Sequence, residues 1–95
     1  MDLFPLTRDQ VLRDLNRSGI DDVKHVLGAE DWNDLHEALS WLFSDMIEGT
    51  TDRLPVLLYQ ADISESKVKS ALDKAEGSHQ AALAHLFLER EVLKV

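Results

Sequence analysis

Residues 31–49 read DWNDLHEALSWLFSDMIEG, and the choice between helix and strand is decided there. Wound at about 100° per residue, Trp32, Leu35, Leu39, Leu42, Phe43, Met46 and Ile47 fall on one broad apolar face. Asp31 stands where an N-cap is needed, and Gly49 follows the last apolar turn. The spacing predicts a helix over Trp32–Glu48.

Working outward, the same punctuation recurs. Gly19, Gly28, Gly49 and Gly77 each follow an expected helix, where a left-handed residue is favoured. A first helix is expected from Thr7, with Gln10 completing a capping box, to Ser18-Gly19. Val11, Leu12 and Leu15 form its apolar side. A short helix follows over Asp21–Leu27. The next begins near Thr51, with Pro55 tolerated in its opening turn, and carries Leu57, Leu58 and Tyr59. Ser64 caps a fifth helix bearing Val68, Ala71, Leu72 and Ala75. Ser78 caps a sixth, running to about Leu93. No segment alternates apolar and polar residues as a half-buried strand does. The expectation is an all-α compact bundle of five to six helices in one domain over residues 1–95. Two long helices lie centrally, with shorter ones around them.

Bulk properties narrow the function classes. Ninety-five residues suffice for one modest core, and 44% hydrophobic content is that of a globular chain. There is no cysteine, which excludes disulfides, thiolate nucleophiles and Cys-based zinc sites. The opening residues, MDLFPL, lack the basic start and long apolar run of a signal peptide. No apolar stretch approaches the roughly 20 residues that span a bilayer. A cytoplasmic location without membrane contact is expected.

Net charge is −8 and uneven. Residues 1–50 carry 11 acidic against four basic side chains, whereas residues 51–95 carry seven against six. An acidic half repels nucleic acid and anionic lipid and favours basic partners, although acidity also serves solubility alone.

Three places could carry function. The first is Trp41, which leaves the apolar face of its helix. It projects among Glu30, Asp34, Glu37, Asp45 and Glu48. An indole ringed by carboxylates could anchor a basic protein partner; alternatively, a neighbouring helix covers it. The second is the last helix. Leu83, Leu86, Phe87 and Leu93 line one side of it, and Ala81, Ala84, Leu88 and Val92 line another. A helix apolar on two sides is either enclosed or paired with a second molecule, so Leu88 and Val92 are candidates for a homodimer contact.

The third is residues 56–75, VLLYQADISESKVKSALDKA. With Ala61-Asp62-Ile63-Ser64 as the turn and Val68 facing inward, this segment resembles the helix-turn-helix of bacterial repressors. The resemblance implies a DNA-binding regulator that reads bases through Glu65, Ser66, Lys67 and Lys69. It departs from the family in having Asp62 at the turn glycine, acidic Glu65, Asp73 and Glu76 beside the lysines, and no arginine for guanine or phosphate. A chain of net charge −8 offers phosphates little attraction, which argues against nucleic acid.

Chemical constellations are sparse. His25 lies three residues after Asp22 and His85 four before Glu89, but two ligands do not make a metal site. Glu76 and His79 have helical ligand spacing across an expected helix break. His36 sits at the edge of an apolar face, as boundary histidines do. No phosphate-binding glycine loop and no serine elbow is present. The reading is a non-enzymatic acidic helical interaction module of adaptor, inhibitor or antitoxin type, without cofactor or metal. Its candidate contacts are Trp41, Asp34, Glu37, Asp45 and Glu48, with Leu88 and Val92.

Overall fold

The computed structural model describes residues 2–49, 53–75 and 77–95. Among these there are six α-helices and no strand: α1 (Phe4–Arg17), α2 (Lys24–Leu27), α3 (Trp32–Glu48), α4 (Arg53–Gln60), α5 (Glu65–Lys74) and α6 (His79–Lys94).

The two longest helices, α3 and α6, pack directly on each other, as their apolar width requires. Their contact is anchored by Phe43 and Phe87, both fully buried, with ring centroids 5.7 Å apart at 76°. An edge-to-face pair of this kind adds about 1 kcal/mol to the burial of two aromatic rings. Around it α1 contributes Val11 and Leu15, α3 Leu35 and Leu39, and α4 Leu57, all fully buried. Each such side chain contributes roughly 1.5–3 kcal/mol on leaving water. Helix α1 closes one side against α6, α2 and α4, and α5 rests on α6.

Three helix starts follow their caps. The Asp31 carboxylate accepts from the Asp34 amide at 2.8 Å, the Ser64 hydroxyl from Lys67 at 3.3 Å, and the Ser78 hydroxyl from Ala81 at 3.1 Å. The first helix differs from expectation. It begins at Phe4, and Thr7 lies inside it, fully buried, with its Oγ1 unpaired. Pro5 suits the opening turn, and Asp2 Oδ1 accepts the Phe4 amide at 3.0 Å. The earlier start also buries the Phe4 ring, which meets Trp32 edge-on at 5.5 Å. Gln10 serves no cap and donates instead to Asp14 Oδ1 at 3.3 Å.

Helix α2 is shorter than expected, because Asp21 and Asp22 stay exposed and only its Val26 finds the core. Helix α4 is described from Arg53, so its expected start near Thr51 lies outside the described residues. Of the four glycines only Gly19, with φ 76°, is left-handed. Among the described residues the other left-handed one is Asp62, with φ 62°.

Candidate functional site

Helix α3 positions the site. Asp34, Glu37, Trp41, Asp45 and Glu48 are spaced seven, four, four and seven residues about Trp41, so they form one stripe. The face opposite holds Leu35, Leu39, Phe43 and Met46 in the core. No helix covers the indole: Trp41 is 67% exposed. The two edge residues of the apolar face, Trp32 and Ile47, are also exposed rather than enclosed.

The indole stands as a fin between two open depressions. One, of about 460 Å³, lies towards α2 and is lined by His25, Gly28, Ala29, Asp34 and Glu37. Its Gly28-Ala29 wall is tied to α1, because Arg8 Nη1 donates to the Ala29 carbonyl at 3.1 Å. The other, of about 530 Å³, lies towards the start of α6, with Asn33, His36, Ser40 and Ser44 along its side. Both are open to solvent.

The stripe carries four carboxylates. Among the described residues no lysine or arginine forms an ion pair with Asp34, Glu37, Asp45 or Glu48. Asp34 accepts the Glu30 amide at 3.3 Å. Asp45 and Glu48 lie in the last two turns of α3, where helix carbonyls already concentrate negative potential and no basic residue answers them. The arrangement can accept hydrogen bonds and attract cations, and the indole face can receive a guanidinium.

No protein family, curated protein or solved structure matches this chain.

Of the candidate contacts on the last helix, Leu88 is buried by the chain itself and Val92 is half-buried. Leu83, Ala84 and Phe87 are buried as well. Leu88 retains 8% exposure at the floor of a small depression that Trp32, His85 and Val92 share. Both apolar sides of α6 are needed because α3, α1 and α5 all pack on it. Leu93 escapes them and is 74% exposed.

The helix-turn-helix segment places Glu65, Ser66, Lys67 and Lys69 on the exposed face of α5. Arg90 of α6 clamps the turn, donating to Asp62 Oδ2 at 2.7 Å and to the Ala61 carbonyl at 3.3 Å. Between α4 and α5 the apolar side chains leave an open groove of about 500 Å³. His85 pairs with Glu89 at 2.6 Å on the surface. Among the described residues no three histidine or carboxylate groups converge on one point, and no helix is long and apolar enough to cross a membrane. The Glu76–His79 spacing lies outside the described residues.

One cluster escapes sequence reasoning. Asp14 of α1 and Glu91 of α6 are both fully buried, with Lys94 beside them. Burial, and then the neighbouring Asp14 carboxylate, push the Glu91 carboxyl up to about 9. A signal existed: Asp14 interrupts the apolar side that Val11 and Leu15 define, and Glu91 follows Phe87 and Leu88 at helical spacing.

Proposed function

We propose that this chain is a non-enzymatic interaction module that receives a basic protein segment on the outer face of α3. One observation carries the reading: Trp41, two-thirds exposed, sits mid-way along a stripe whose other members are all carboxylates, none ion-paired to a lysine or arginine among the described residues. A large exposed aromatic costs solubility unless something covers it, and tryptophan is among the most frequent binding hot spots. Arginine fits best. Its guanidinium stacks on the indole while its N–H groups fork towards Glu37 or Asp45. Carboxylates along the rim accelerate encounter with such a segment.

The test titrates the Trp32→Phe variant with an arginine-rich helical peptide, so that only Trp41 reports. The expected result is an emission shift at low salt that weakens as salt rises. Trp41→Phe and Glu37→Gln should each lower affinity for the same peptide. An unchanged affinity in the Trp41→Phe variant sinks the reading.

A DNA-binding helix-turn-helix over residues 56–75 is the second reading. Asp62 favours it, because the turn adopts the left-handed residue that such motifs place there with glycine. Low-salt binding to duplex DNA that is lost in Lys67→Glu would support it.

A further inference from the structure

The groove between α4 and α5 is a mostly apolar recess, and the proposed contact at Trp41 leaves it unused. Its walls are Leu54, Leu58 and Tyr59 from α4 and Val68 and Leu72 from α5, with Ile63 of the turn between them. Tyr59 is 81% exposed at the lip, and α5 has no fully buried residue at all. An amphipathic helix whose apolar side is only half covered marks an interface.

The charges on the rim select the occupant. Glu65, Lys69 and Asp73 border the groove at intervals of four residues, so one face of α5 shows an acid, a base and an acid in line. Such a stripe complements itself. When two copies lay α5 antiparallel across a two-fold axis between Lys69 and Asp73, Lys69 meets Asp73 of the second copy, and the reverse pair forms by symmetry. The Trp41 stripe cannot do this, because carboxylates would face carboxylates. Helix α6 keeps Leu83, Ala84, Phe87 and Leu88 buried within the chain, with Leu93 exposed beyond them. We propose that this groove is where a second copy of the chain docks, α5 against α5, with each Tyr59 inserted at the lip of the other groove.

Sedimentation equilibrium of the full chain over a rising concentration series tests this. The mass should climb from 10.8 kDa towards twice that value. Lys69→Glu turns both ion pairs repulsive and should raise the dissociation constant by about tenfold. The double variant Lys69→Glu/Asp73→Lys restores opposite charges and should recover the wild-type constant. Tyr59→Ser should weaken association while leaving the helical circular dichroism unchanged. Trp41→Ser should leave it intact, which separates this proposal from the contact on α3. A mass fixed at 10.8 kDa at every concentration would overturn it. So would failure of the charge swap to rescue, or an apolar small molecule found occupying the groove of a monomer.

Discussion

Lys94 and Asp14 stand 80 residues apart in sequence, and their side chains meet at 2.6 Å inside the fold. The ammonium also lies 3.4 Å from Glu91 and donates to the Gln60 carbonyl at 3.2 Å. Two buried carboxyl groups thus share one cation. A second negative charge there would be uncompensated in a medium that solvates it poorly, so Glu91 keeps its proton.

The sign of the pH dependence follows. Glu91 has an ordinary value of 4.5 and lies at about 9 in the fold, so between these the folded chain holds more protons than the unfolded one. Its contribution is fully present below about pH 4.5 and is lost as pH rises towards 9. The slope approaches about 1.4 kcal/mol per pH unit per proton. Glu91→Gln keeps the shape and removes the titration. Urea unfolding from pH 5 to 9 should show wild type losing ground to this variant, by about 1–4 kcal/mol at pH 8. Parallel profiles would refute the assignment.

Thr7 offers the reverse case, a polar group with nothing to do. Its hydroxyl is fully buried and unpaired within α1. Thr7→Val keeps the shape and ends the desolvation penalty, so it should raise stability by about 1 kcal/mol, read from the urea midpoint. A Thr7→Val chain that is clearly less stable would mean that the hydroxyl has a partner after all.

At the α4–α5 turn the left-handed Asp62 is held by Arg90. Asp62→Gly loses an ion pair with a largely exposed acid but gains a residue suited to positive φ, so the two effects should cancel to within about 0.5 kcal/mol. Asp62→Ala suffers both losses and should cost about 1–2 kcal/mol. Thermal unfolding of the three chains ranks them, and an alanine variant as stable as wild type would contradict the backbone argument.

Asp45 and Glu48 stand at the wrong end of α3 for its dipole. Neutralising both, as Asp45→Asn with Glu48→Gln, should stabilise the chain by about 0.5–1 kcal/mol. The same variant should bind an arginine-rich peptide several-fold more weakly. A gain in stability together with a loss in binding would mean that these carboxylates are kept for contact rather than for folding. No change in either property would make them ordinary solvated charges.

What the residues disclosed beforehand divides along physical lines. Helices α3, α5 and α6 start where Asp31, Ser64 and Ser78 place a side-chain oxygen, because capping is a local interaction. The position of Trp41 off the apolar face was equally legible, since it depends only on the turn angle within one helix, whereas its exposure depends on whether another helix covers it. The start of α1 was not, because burying Phe4 against Trp32 outweighs the capping box at Thr7. The fate of Leu88 was also hidden. Whether the second side of α6 is covered depends on how α1, α3 and α5 assemble around it, and that is a tertiary outcome. The raised Glu91 carboxyl required knowing that two helices far apart in sequence bring their carboxyl groups together.

Helix α6 is the last of the six to leave the ribosome, yet it supplies Phe87 to Phe43, Arg90 to the α4–α5 turn and Lys94 to Asp14. A nascent chain that has emerged only as far as α5 has no centre to condense around. It must wait with Phe43 wet and an aspartate facing an absent cation. Acquisition of structure therefore waits until α6 has emerged, and a product that stalls before it exposes the surfaces on which chaperones and proteases act.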